Sequence, residues 1–123
     1  MSRAVDLELK KAFAALQNKV LMTHRQLKVD DHQIELYKKK RHHLELIKGE
    51  VNALTRKVKI YQGFGRMFLL SDFNEVLHDL DTKSNTLEEK IKSVQNNKAF
   101  LERSLKDSEN NLREMVQQKK DAL

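Results

Sequence analysis

The chain has no cysteine, no proline and no tryptophan among its 123 residues, and only three glycines. Without cysteine there is no disulfide framework and no thiolate metal or redox site. Without proline nothing breaks a helix from within. Aromatic residues make up 6% and charged residues 34%, too little aromatic bulk and too much charge for an ordinary globular core. No run approaches the roughly 18 apolar residues of a membrane span. The opening MSRAVDLELKK lacks the apolar stretch of a secretory signal. The expectation is a soluble, cytoplasmic protein.

One-sided charge is also lacking. The formal charge is +6 with pI near 9.6, but the 24 basic and 18 acidic residues are largely interspersed, as on solvated helical faces. High charge with few aromatics marks disorder in some chains. A sustained apolar stripe at helical spacing argues instead for long helices joined along a narrow seam.

What is there centres on Ile60 to Leu70, IYQGFGRMFLL, which holds two of the three glycines. Apolar runs flank them: Val58, Ile60 and Tyr61 before, Met67, Phe68, Leu69 and Leu70 after. Runs of this kind around a Gly-X pair signal a β-hairpin, because glycine supplies the positive φ of a tight turn. A two-residue type II′ turn at Gly65-Arg66 pairs Phe64 with Met67, Gln62 with Leu69 and Tyr61 with Leu70. One face then carries Val58, Ile60, Phe64, Met67 and Leu69, the other Tyr61, Phe68 and Leu70. Both faces are apolar. An isolated two-stranded hairpin is marginal in water, and this chain offers no further strands, so its neighbours are expected from other chains.

On either side an apolar stripe advances in alternating steps of three and four, the spacing that keeps side chains on one helical face. The first runs Leu9, Phe13, Leu16, Val20, Thr23, Leu27, Asp30, Ile34, Tyr37, Arg41, Leu44, Ile47, Val51, Leu54 and Val58, with Thr23, Asp30 and Arg41 as polar slots. Asp72 to Glu75 reads as a capping box restarting a helix. The second stripe is Leu77, Leu80, Ser84, Leu87, Ile91, Val94, Lys98, Leu101, Leu105, Ser108, Leu112 and Met115. Helices of about 45 to 50 residues would span roughly 70 Å. Joined by a hairpin, they are expected to fold back as an antiparallel coiled coil. The predicted organisation is mainly α and a single domain over 1–123, with helices at about 5–55 and 73–120 and the hairpin at about 57–71.

No nucleophile–base set stands out, and Gly63-Phe64-Gly65 lacks the Gly-Lys-Ser/Thr of a phosphate loop. His42 and His43 diverge by about 100° on a helix and form no metal-ligand spacing with His32 or Glu35. Lys38-Lys39-Lys40-Arg41 spreads around a helix and reads as a solvated face rather than a nucleic-acid patch. No enzyme, cofactor or metal site is expected.

Three stretches narrow this reading: Val5 to Phe13 (VDLELKKAF), Tyr61 to Phe68 (YQGFGRMF) and Leu101 to Met115 (LERSLKDSENNLREM). With the helix–single hairpin–helix order, they resemble the β-type subunits of prefoldin, and the resemblance covers the chain end to end. It implies a hexamer of two α-type and four β-type subunits whose hairpins assemble into an intersubunit β-barrel carrying coiled-coil arms. It also implies ATP-independent capture of non-native proteins, notably actin and tubulin, and their transfer to the cytosolic chaperonin. The barrel contacts would be Val58, Ile60, Tyr61, Gly63, Phe64, Gly65, Met67, Phe68, Leu69 and Leu70. The arm tips, expected to meet clients, would be Val5, Leu7, Leu9, Phe13, Leu112, Met115, Val116 and Leu123. Two other readings compete: a plain coiled-coil scaffold, which has no need of a two-faced hairpin, and a basic nucleic-acid-associated factor.

Overall fold

The computed structural model describes the backbone of residues 3–121 and the side chains of 7–121. The element order is α1 (Arg3–Ala53), β1 (Ile60–Phe64), β2 (Met67–Ser71) and α2 (Phe73–Asp121). Both helices are built from runs of Leu, Lys, Glu, Gln and Ala, which lose little side-chain freedom in a helix. Gly49 lies within α1, with open space where a side chain would stand.

α1 stops where the sequence turns β-branched. The Leu54 N–H donates to the Val51 carbonyl (3.1 Å) and the Val58 N–H to the Thr55 carbonyl (3.0 Å), closing two successive tight turns. Val58 therefore belongs to neither the α1 stripe nor a strand face. It sits exposed in the connection, because the Thr55–Val58 turn uses its N–H and delays strand pairing until Ile60. At the start of α2 the Val76 N–H donates to the Asp72 carbonyl (3.0 Å), which makes Asp72 the N-cap. The reciprocal carboxylate bonds of a capping box do not form among the described residues.

The chain forms two compact units, Gln33–Ser93 and the pair of segments Met1–His32 with Val94–Leu123. In Gln33–Ser93, Ile34, Val76, Leu80 and Ile91 are buried, and Leu44, Ile47, Val51 and Leu87 are half-buried. The Lys90 ammonium lies 5.9 Å from the Tyr37 ring centre, the Arg56 guanidinium 5.7 Å from that of Phe73, and Lys48 is paired with Asp81. Ascending positions on α1 meet descending positions on α2, so the helices are antiparallel. Val76 was not on the predicted stripe. It is nonetheless buried, at the start of α2.

In the other unit the seam runs through Leu9, Leu16, Val20, Leu27, Val94, Leu101, Leu105 and the buried Leu112. Its polar slots are occupied and partnered. Lys19 Nζ donates to the Ser104 carbonyl (3.3 Å), to Ser104 Oγ (3.0 Å) and to Ser108 Oγ. Thr23 is buried, and Asp30 accepts from Gln26 Nε2 (3.0 Å) and Asn97 Nδ2 (3.3 Å). Lys98 pairs with Asp31, and Lys119 Nζ with Glu8 at 2.6 Å. These pairs again run in opposite directions along the two helices.

Candidate functional site

The hairpin is set by its turn. Gly65 has φ of 62°, and no other residue with a side chain has positive φ among those described, so only the first central position is left-handed. That is the type II′ turn, whose twist matches the flanking strands. The register follows: Ile60 opposite Ser71, Tyr61 opposite Leu70, Gln62 opposite Leu69, Gly63 opposite Phe68 and Phe64 opposite Met67. Among the described residues the strands pair only with each other.

Strand alternation sorts the side chains into two sets. Ile60, Gln62, Phe64, Met67 and Leu69 share one face, and Tyr61, Phe68 and Leu70 the other. Tyr61, Phe64, Met67, Phe68, Leu69 and Leu70 are all exposed, Phe68 at 73%. Ile60 and Gln62 are half-buried. Phe68 lies across Gly63, where an added Cβ would meet its ring edge at 3.6 Å. Neither face is covered, and each strand keeps an outer edge with unpaired backbone groups. At about 1.5–3 kcal/mol per large side chain, covering these side chains would yield on the order of 10 kcal/mol before ordering costs. The element is chemically suited to burial against other strands.

A second group of candidates lies toward the helix ends. The side chains of Val5 and Leu123 lie outside the described residues. Leu7 is exposed, Phe13 keeps 47% of its surface in water, and Leu9, Met115 and Val116 are half-buried. Leu112, at 8%, is a seam residue. Phe13, Leu16, Leu112 and Val116 line a groove of about 580 Å³ edged by Glu109 and Arg113. Ala12 rather than Phe13 takes the half-buried place on α1, which swings the larger ring outward. The stripe also passed over the exposed Leu21, Met22, Val29 and Phe100 of this unit. Their one sequence signal was being apolar off the seam spacing.

Among the described residues no group of His, Asp and Glu side chains is arranged to hold a metal ion, and no helix is long and apolar enough to cross a membrane.

Comparison with known proteins adds an independent line. A family model described as prefoldin subunit matches residues 14–119. The chain is similar to prefoldin subunit 1 of Danio rerio, 43% identical over 116 residues that cover 94% of this chain and 95% of that protein. The Mus musculus subunit 1 is 44% identical over 117 residues, with the same coverage. A probable prefoldin subunit 1 of Caenorhabditis elegans is 30% identical over 94% of this chain and 98% of its own. Among solved structures, the prefoldin beta subunit from Thermococcus strain KS-1 superposes with a TM-score of 0.70, covering 87% of this chain and 90% of that one. At 15% identity it speaks to the fold alone.

Proposed function

The chain belongs to the prefoldin subunit family, and from that premise we propose that it serves as a β-type subunit of a heterohexameric, ATP-independent holding chaperone in the cytoplasm. The hairpin is its assembly element, joining those of other subunits, two α-type and four β-type in all, in a shared β-barrel. The observation that carries this reading is the hairpin with large apolar side chains exposed on both faces and, among the described residues, no third strand. Its clients are non-native proteins, actin and tubulin among them, which pass on to the cytosolic chaperonin. Holding a client requires no catalytic group and no cofactor.

Clients meet the apolar residues toward the helix ends: Val5, Leu7, Leu9, Phe13, Met115 and Val116. One such contact yields about 1.5–3 kcal/mol before ordering costs. A single tip therefore holds a client with a dissociation constant on the order of millimolar, about 4 kcal/mol. Several tips on one assembly raise the effective concentration of each later contact and tighten capture by orders of magnitude. Contacts this weak let go without nucleotide hydrolysis. Met115 adapts to varied surfaces because its side chain is unbranched.

Native mass spectrometry of the tagged chain purified from its own cells tests the assembly. The expected species is a hexamer of small related subunits, whereas a partnerless homodimer would return the chain to a scaffold. The tips are tested by the double variant Phe13→Ser, Val116→Ser in the assembled complex. Suppression of light scattering by denatured actin should weaken several-fold with the hexamer intact. Unchanged suppression removes those residues from client capture.

A further inference from the structure

Within Gln33–Ser93 the two helices bound a groove of about 550 Å³ on the outside of the seam. Leu44 and Leu87 line it together with His43 and with the largely apolar stems of Lys39 and Lys40 from α1 and Lys83 and Lys90 from α2, whose ammonium groups stand at its rim. No carboxylate lines it. Lys90 is held over the Tyr37 ring, while Lys39, Lys40 and Lys83 make no ion pair among the described residues. Elsewhere in this unit Asp81 is taken by Lys48 and Glu88 by Lys92. Four like charges around a largely apolar trough repel one another, and an anion relieves that repulsion.

We propose that this groove docks an acidic amphipathic peptide segment of a partner protein, with an apolar side chain on Leu44 and Leu87 and flanking carboxylates on the four lysines. The floor decides between anions. The Thr82 hydroxyl donates to the His78 carbonyl (3.0 Å) and the Thr86 hydroxyl to the Thr82 carbonyl (2.9 Å), so neither has a proton free for a phosphate oxygen. The one aromatic ring in the lining is the His43 imidazole, and no phenylalanine, tyrosine or tryptophan lines the groove as a platform for successive bases. A phosphate backbone would leave the leucines unused, whereas a peptide with one apolar residue among acidic ones matches both features. The groove shares no residue with the hairpin or with the helix-end candidates, so it adds a third contact surface to the subunit.

The test uses the full chain in its purified complex and fluorescence anisotropy of a short labelled peptide carrying glutamates around one central leucine. Micromolar binding is expected, falling several-fold as added salt shortens the screening length from about 10 Å. Lys39→Glu with Lys83→Glu should weaken it at least about tenfold, since reversing a charge sets like against like. Lys39→Gln with Lys83→Gln should weaken it less, and circular dichroism of both variants should match the parent. A glutamate-only peptide of equal length should bind several-fold more weakly. Three results overturn the proposal: peptide affinity indifferent to both lysine pairs, a glutamate-only peptide that binds as tightly, or single-stranded RNA that binds more tightly and depends on the same lysines.

Discussion

On the hairpin Phe68 keeps 73% of its surface in water, whereas in the seam of Met1–His32 and Val94–Leu123 an acidic residue, Asp30, keeps only 2%. An isolated globular protein distributes its side chains the other way. The hairpin holds apolar area that nothing in this chain covers, and its own fold supplies only the turn and the register that aim that area outward. The seam holds polar groups at positions where Leu or Ile would add more stability. What those groups add is alignment. With Lys19 bonded to Ser104 and Ser108, and Asp30 to Asn97, one axial register satisfies both. A slip of seven residues along α2 would move Leu101 or Met115 into the place of Ser108, opposite the Lys19 ammonium. A polar seam position specifies register at a cost in stability. One region is thus shaped for what joins it, and the other for how it lines up with itself.

The largest expected effect breaks the hairpin side of this contrast. Phe68→Glu replaces the most exposed of the large apolar side chains with a carboxylate that assembly would have to bury. Losing the apolar contact and desolvating a charge together cost at least about 3 kcal/mol, more than a hundredfold in incorporation. Co-purification with the other subunits should collapse, while the helical circular dichroism of the free chain stays unchanged because the ring supports no helix. Normal incorporation of this variant would mean that the face around Tyr61, Phe68 and Leu70 stays in water after assembly.

An intermediate effect sharpens the seam side, and its sign is the informative part. Asp30→Ala removes two amide hydrogen bonds and should lower stability by about 1 kcal/mol. Asp30→Leu should raise it by about 1–2 kcal/mol, since a leucine there buries apolar area against the seam. The expected accompaniment is looser register, visible as cysteine pairs placed one heptad out of line becoming competent to cross-link. Melting of the two variants within the same complex separates the cases. Equal destabilisation by alanine and leucine would make Asp30 a strength of the fold rather than a device of alignment.

The hairpin register was legible because a Gly-X pair between two apolar runs permits very few turns, and a two-residue turn dictates every pairing beyond it. Most of the seam was legible for a similar reason: steps of three and four leave one face, and even Thr23, Asp30 and Arg41 fell on it. Legibility failed where two local rules competed. Val58 satisfied both the helical stripe and the strand alternation, and the Thr55–Val58 turn excluded it from each. Ala12 and Phe13 are adjacent, and the backbone phase of α1, which spacing alone does not fix, turned the smaller one inward. The partners of the polar slots were out of reach altogether. That Lys19 meets Ser104 and Ser108, more than eighty residues away in sequence, depends on how the two helices align. The Lys38–Arg41 run supplies only Lys39 and Lys40 to the basic groove, and spacing along one helix carries no sign of the other wall, Lys83 and Lys90 of α2.

The smallest effect concerns the Lys98–Asp31 pair, where the seam meets solvent. The Lys98 side chain is 27% exposed and that of Asp31 59%. The hydrogen bond from Lys98 to Asp31 holds the ammonium above its ordinary pKa of 10.5, against the opposing pull of partial burial and with help from the charges of Asp31, Glu102 and Asp30. A group whose pKa is raised by folding binds its proton more tightly in the folded state. Its contribution to stability is therefore complete below about pH 10.5 and is lost as pH rises through the folded value. Exposed ion pairs are weak, so single substitutions should move the melting temperature only slightly. The pairwise quantity is cleaner: a double-mutant cycle of Lys98→Met and Asp31→Asn, which cancels the titration of every other lysine and tyrosine. Its coupling should be flat from neutral pH to about 10 and vanish above the folded pKa. Coupling that disappeared between pH 7 and 9 would mean that the ammonium is not the group holding Asp31. Alignment at that level of the seam would then rest on the Asp30–Asn97 bond alone.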